Sequence, residues 1–184
     1  MSKEIHFNNI NEMVHTIVRQ ISISRFRPDY VIGITRGGIV PALMISHYFN
    51  IPMHTLKVSL RSDPPDTESN CWMAEDAFGY VSVDARETLK SRWDIHKRKN
   101  ILIVDDINDS GATFDWIKQD WINSCLPAEE EAWRSVWNKN VRFAVLVDNE
   151  SSNFNSIDYS GENINKDEDP AWIVFPWEKW WRTG

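Results

Sequence analysis

"ILIVDDINDSGATF", residues 101–114, runs four aliphatic residues into paired carboxylates, Asp105 and Asp106. It adds Asp109 three positions later and closes on Ser-Gly-Ala-Thr before Phe114. A short continuous apolar run ended by turn residues reads as a strand buried on both faces. Ser110, Gly111, Ala112 and Thr113 lie between that strand and the helical pattern "TFDWIKQDWINSCL". Their backbone N–H groups can form a concave donor nest at a helix start, with two hydroxyls in reach, and such a nest binds phosphate. Adjacent carboxylates at a strand end can accept hydrogen bonds from sugar hydroxyls or hold a hydrated Mg²⁺. Asp109, at the loop apex, can serve as a general base. The three negative charges therefore read as separate stations for sugar, metal and proton beside a phosphate nest.

The same alternation continues on both sides of this stretch. Residues 9–24 place Ile10, Met13, Val14, Ile17, Val18 and Ile21 at helical spacing. "DYVIGIT" is a second buried strand, ended by Arg36-Gly37-Gly38, and "GGIVPALMISHYFN" reads as a helix with Pro41 in its first turn. "MHTLKVSL" and "VRFAVLVD" are further strands. Residues 127–140, "PAEEEAWRSVWNKN", read as a helix starting at Pro127. Residues 61–79 are polar, hold the Pro64-Pro65 pair and read as a long loop without regular structure. Strands alternating with helices predict an α/β fold, a mainly parallel twisted sheet flanked by helices. Ligands in such sheets bind beyond the strand C-terminal ends, where Asp105, Asp106, Asp148 and the Arg36-Gly37-Gly38 turn would gather.

A chain of 184 residues fits one domain, 1–184. Its net charge of −7 argues against nucleic-acid or anionic-membrane partners, which call for clustered Lys and Arg. The basic run "HKRKN", residues 96–100, reads as a solvated loop before a strand. The N-terminus has no apolar signal region, and no apolar run approaches the roughly 18 residues of a membrane span, so a cytoplasmic protein is expected. Cys71 and Cys125 fit no CxxC pattern and are expected to be reduced thiols. Ten tryptophans are unusual. Pairs such as Trp116/Trp121 and Trp133/Trp137 suggest helix faces that are buried or packed on another subunit. An apolar patch on the 116–137 stretch would favour a homo-oligomer, a dimer or tetramer.

"ILIVDD" also opens receiver domains of two-component signalling, and Asp148 falls near the phosphoacceptor spacing. A receiver begins with that strand, however, whereas 100 residues precede it here. The longer run "ILIVDDINDSGAT" resembles the 5-phosphoribosyl-1-pyrophosphate signature of type I phosphoribosyltransferases, and "IGITRGG" resembles that family's pyrophosphate loop. Within the family, "DARETLK" and "AWIVFPWE" are most similar to the bacterial xanthine-guanine enzymes. The resemblance implies a fold with a C-terminal hood over residues 150–184, a mobile active-site loop over 61–85 and a Trp-rich helical insertion over 116–140. It implies that Arg36 and Gly37 bind pyrophosphate and that Arg86 descends onto it. Asp105 and Asp106 would hold the ribose hydroxyls, Asp106 also the Mg²⁺, and Asp109, Ser110, Gly111, Ala112 and Thr113 the 5′-phosphate. Asp109 would take the ring proton of a purine-like base, with Trp172 stacked on the base and the Ile173 backbone reading its edge.

One departure bears on the base. The purine enzymes carry a lysine after the strand equivalent to "VRFAVLVD", and here Val147, Asp148 and Asn149 stand there. Asn149 is the candidate to donate a neutral amide hydrogen bond in its place. The implied activity is transfer of the phosphoribosyl group to guanine, xanthine or hypoxanthine. The alternatives are transfer to a non-purine base, or a phosphoribosyl-pyrophosphate sensor without transfer.

Overall fold

The computed structural model describes residues 2–81 and 92–182. Its central sheet has six strands: β2 (Tyr30–Thr35), β3 (Met53–Ser59), β4 (Asp66–Thr67), β5 (Ile101–Asn108), β6 (Val141–Asn149) and β7 (Tyr159–Ile164). They lie in the order β4-β3-β2-β5-β6-β7, all neighbours parallel except the β3/β4 pair. A separate pair joins β1 (Ser2–Glu4) to β8 (Trp172–Val174) in parallel.

The strands alternate between two apolar layers, as period-two geometry requires of a sheet covered on both faces. Ile101 and Ile103 of β5 face one layer with Phe114, Ile117 and Trp121 of α4 (Ala112–Ser124), while Leu102 and Val104 face the other. That second layer holds Ala42 and Ile45 of α2 (Ile39–Phe49) and the buried side of α1 (Phe7–Ile23). The six apolar positions expected for the first helix are the six that α1 buries.

Several expectations are corrected. Residues 61–79 are not an irregular loop: they contain β4 and an eight-residue helix, α3 (Cys71–Phe78). α3 is held by burial of Met73, Ala74, Ala77 and Phe78, a helical face beneath a polar exterior. The helix expected from Pro127 is a single turn, α5 (Glu130–Trp133). The tryptophans of 116–137 do not form an exposed patch. Trp121, Trp133 and Trp137 are buried together with ring centres 5.3 to 5.9 Å apart, and the Trp133 indole N–H donates to the Pro127 carbonyl at 2.8 Å. The surface argument for an oligomer accordingly loses its basis. Cys71 and Cys125 are paired in a disulfide rather than reduced, tying the start of α3 to the end of α4. The "HKRKN" run is only partly solvated. Arg98 donates to the Phe78 and Ser135 carbonyls, and Lys99 pairs with Asp76 at 3.1 Å. No helix among the described residues is long and apolar enough to cross a membrane.

Candidate active site

β2 and β5 are neighbours at the centre of the sheet, and the helices that follow them, α2 and α4, cover opposite faces. The chain therefore diverges at this point and leaves a crevice beyond the strand ends, the usual ligand position in such sheets. A cleft of about 370 Å³ opens there. Its walls include Thr35, Asp105, Asp106, the whole run 109–113, Trp172 and Ile173. Sequence reasoning missed three charged wall residues as members of the site: Arg61, Lys166 and Glu178.

The floor is fixed by a buried amide. Asn108, at the last position of β5, donates to Asp148 Oδ1 and to the Phe154 carbonyl, both at 2.8 Å, and accepts from Ser152 Oγ at 3.0 Å. Both amide N–H groups and the amide oxygen of this side chain are engaged in holding the turn that follows. Gly111 then adopts φ +88°, a left-handed conformation costly for other residues, and a Cβ there would run into the Phe154 backbone. α4 begins at the next residue, so its free N–H groups and the Ser110 and Thr113 hydroxyls border the cleft. The arrangement can receive a phosphate.

Beside it stand the paired carboxylates. Asp106 N–H donates to Asp105 Oδ1 at 2.9 Å, and Ile107 N–H to Asp106 Oδ1 at 2.8 Å. Burial pushes the Asp105 carboxyl well above the usual range, and the neighbouring Asp106 charge adds to this. Burial pushes Asp106 up to about 6, opposed by the Ile107 N–H and reinforced by the Glu178 charge. Gly37 lies against the Asp106 carboxylate so closely that a Cβ at Gly37 would collide with it. Two desolvated carboxylates facing a cleft fit a divalent cation, which would remove the cost of ionising them. Among the described residues no group of three or more His, Cys, Asp or Glu could hold a metal alone. The set therefore suits a Mg²⁺ that keeps waters and shares substrate oxygens.

Asp109 is placed between two cations. Its Oδ1 lies 2.8 Å from Lys166 Nζ and its Oδ2 3.9 Å from the Arg61 guanidinium. Both cations also lie over the Trp172 ring, Arg61 at 5.2 Å and Lys166 at 5.7 Å from its centre. Trp172 is 52% exposed, on β8, while Ile173 is buried beside it. Asn149 does not border the cleft and cannot take the role expected of it. Its Nδ2 donates to the Asp109 carbonyl at 3.0 Å, and its Oδ1 accepts from Lys166 N–H at 3.0 Å and from Ser151 Oγ at 2.9 Å. The amide is a brace for the two groups that do face the cleft. Arg36 is exposed and stands beyond the lining, next to Thr35, which belongs to it. Arg86 and the "DARETLK" stretch around it lie outside the described residues.

A mainly parallel sheet with a strand-turn-helix, a carboxylate pair and Trp172 of β8 gathered at its switch point defines a class. Residues 3–180 match the phosphoribosyl transferase domain family, and the chain belongs to it. It is 29% identical over 115 residues to xanthine phosphoribosyltransferase 1 of Saccharomyces cerevisiae, a match covering 59% of this chain and 54% of that protein, about half its length. It is 23% identical over 194 residues to the hypoxanthine-guanine phosphoribosyltransferase of Schizosaccharomyces pombe, covering 94% of this chain and 86% of that one. The purine phosphoribosyltransferase of Pyrococcus horikoshii shares the fold, with a TM-score of 0.59 at 20% identity over 96% of this chain and 93% of that one.

Proposed function

We propose that this protein transfers the 5-phosphoribosyl group from 5-phosphoribosyl-1-pyrophosphate to a purine base (guanine, xanthine or hypoxanthine), releasing pyrophosphate, as a cytoplasmic salvage enzyme. The observation that carries this reading is the continuous wall from Asp105 to Thr113, which offers sugar, proton and phosphate stations within one strand-turn-helix. The two curated relatives, named as xanthine and hypoxanthine-guanine enzymes, support the choice of base class.

The Ser110–Thr113 nest holds the 5′-phosphate, and Asp105 and Asp106 accept the ribose hydroxyls. Thr35, Arg36 and Gly37 border the pyrophosphate, where Gly37 permits close backbone approach. Mg²⁺, when bound at Asp106, supplies charge neutralisation for the leaving pyrophosphate. A ring nitrogen of the base forms the new bond to the anomeric carbon as the carbon–oxygen bond to pyrophosphate breaks. The electron pair leaves with pyrophosphate, and the ring N–H proton passes to Asp109. The carboxylates beneath the sugar stabilise its developing positive charge. Trp172 supplies the stacking surface and closes one side of the cleft.

The test offers the protein Mg²⁺, donor and a panel of guanine, xanthine, hypoxanthine, adenine, orotate and uracil, with pyrophosphate release as readout. Release with at least one oxopurine is expected, and donor binding without release for any base would overturn transfer. Asp109→Asn should lower turnover by about two to four orders of magnitude while donor binding persists. Unchanged turnover would remove Asp109 from the proton role.

A further inference from the structure

Two donors that stand outside the cleft act on the backbone of the turn that borders it. Asn149 Nδ2 donates to the Asp109 carbonyl at 3.0 Å, and the Asn153 backbone N–H donates to the Ser110 carbonyl at 3.2 Å. Neither Asn149 nor Asn153 belongs to the cleft wall, whereas Asp109, Ser110 and Gly111 do. Two consecutive carbonyls of the turn are thus drawn away from the cavity.

In a planar trans peptide the carbonyl and the N–H point in opposite directions. The Asp109 carbonyl shares its peptide with the Ser110 N–H, and the Ser110 carbonyl shares its peptide with the Gly111 N–H; both peptides are trans. Drawing the carbonyls outward therefore turns these two N–H groups inward, and among the described residues neither has a protein acceptor. Ser110 Oγ accepts from the Ala112 N–H at 3.4 Å, which leaves its own O–H free to donate. Turned the other way, the same peptides would present carbonyl oxygens to an anion and repel it.

The turn does not fix this choice by itself. Gly111 has φ +88°, and glycine accepts either sign of φ, so the peptide before it can flip at little steric cost. A hold from outside is needed. Asn108 supplies part of it at one remove, donating to the Phe154 carbonyl at 2.8 Å and accepting from Ser152 Oγ at 3.0 Å. Ser152 Oγ in turn accepts from the Phe154 N–H at 3.2 Å, and between these two residues sits the Asn153 N–H that holds Ser110. Asn149 and Asn108 are only 5% and 1% exposed, so bulk water does not replace a bond lost from either.

We propose that Asn149 and Asn108 are positioning residues for the 5′-phosphate of the donor, Asn149 directly and Asn108 through the 152–154 turn, by setting which face of two peptides the phosphate meets. The inference rests on the reading of the 110–113 turn as the phosphate station of a phosphoribosyl transfer site. Initial rates at varied donor and varied oxopurine would be compared for the full chain and its Asn149→Ala and Ser152→Ala variants. Calorimetric binding of ribose 5-phosphate and of pyrophosphate with Mg²⁺ would be measured alongside. Asn149→Ala should raise KM for the donor and weaken ribose 5-phosphate binding about ten- to a hundredfold, as expected when hydrogen bonds to a charged group are lost. Pyrophosphate binding and KM for the base should each stay within about threefold, since neither ligand meets these peptides. Ser152→Ala, at a partly buried position, should act in the same direction by a smaller factor, and it carries the test should the Asn149 variant fail to fold. Folded variants in which the ratio of the two KM values is unchanged would overturn the proposal, because a merely structural role lowers melting temperature and active fraction only. A raised KM for the base at unchanged KM for the donor would also overturn it, placing the effect of Asn149 at Lys166, whose N–H it also accepts. Asn149-dependent binding of ribose 5-phosphate without pyrophosphate release for any base would sink transfer and leave the positioning role standing. Release with donor KM indifferent to both substitutions would do the reverse.

Discussion

Replacing Asp106 by asparagine separates what the cleft does for function from what it costs the fold. From about 3.9 for an ordinary aspartate to about 6 in the cleft, the rise in proton affinity corresponds to roughly 3 kcal/mol of penalty for the ionised form. Asp106 keeps one edge on the open cleft and shares its field with Asp105, so solvent screening and coupling reduce the recoverable part to about 1 to 2 kcal/mol. Asparagine retains an Oδ1 acceptor for the Ile107 N–H and removes the charge. At neutral pH Asp106→Asn should therefore be more stable than the unaltered protein, with Tm higher by about 2 to 8 °C. The pH dependence carries the sign of the effect. Because the folded state binds the proton more tightly, the contribution of Asp106 to stability is full below about 4 and is lost as pH rises to about 6. The variant should show a shallower decline across that window, with the remaining slope shared by Asp105, Asp148 and Asp158, whose carboxyls burial also raises. Differential scanning fluorimetry from pH 4 to about 8 reads both quantities. Adding Mg²⁺ with donor at about 100 times its dissociation constant should stabilise the unaltered protein by about 2.7 kcal/mol and the variant by far less. An Asp106→Asn protein that melts lower at neutral pH, or keeps the full slope, would refute the claim that this carboxylate is held at a cost to the fold.

Three further outcomes follow from particular contacts. Gly37→Ala drives a Cβ into the Asp106 carboxylate and should weaken donor binding by roughly tenfold or more, read by calorimetry, with a small change in Tm. Opening the Cys71–Cys125 bridge, by reductant or Cys125→Ser, frees a loop of 54 residues and should lower stability by up to about 4 kcal/mol in urea melts. Trp133→Ala removes a fully buried member of the tryptophan cluster and should cost about 3 to 5 kcal/mol, while leaving the association state by light scattering unchanged.

Strands β2, β5 and β6 were legible because they are buried on both faces and so appear as unbroken apolar runs, whereas β4, of two residues, and β7, buried at a single position, carry no such signal. α1 was legible because its six buried positions keep a helical period. Other elements lack a local signal. β1 is three exposed residues whose partner strand, β8, lies about 170 positions away, so nothing within the N-terminal segment marks it as a strand. α3 does carry a pattern, with Met73, Ala74, Ala77 and Phe78 on one side, but the Pro64-Pro65 pair and the polar residues before it mask so short a helix. The disulfide depends on how α3 lies against the end of α4, which no spacing rule for two lone cysteines encodes. The tryptophans were misread for a related reason. Their helical spacing indicates a face, but not whether that face turns to the protein's own core, and the break at Pro127 lets Trp133 and Trp137 fold back onto Trp121.

The same distinction between local and assembled structure divides the two halves of the cleft. The half proposed for the sugar phosphate is one strand-turn-helix, its geometry set by φ at Gly111 and by the hydrogen bonds of Asn108, so one fourteen-residue window contains it. The half proposed for the base is built from separate segments bearing Arg61, Asp109, Lys166 and Trp172, and its shape depends on strand register. Asn149 of β6 pairs with Ile164 of β7, which sets Lys166 two residues beyond the last pair, alongside the loop that bears Asp109. Trp172 depends in turn on β1, because Ser2 is its register partner. A search for a lysine at 147–149 follows the chain, whereas the cleft is filled by whichever neighbouring strand ends beside it. A lysine does border the cleft, but it is delivered by the turn after β7 instead of by β6, and Asn149 holds its backbone in position.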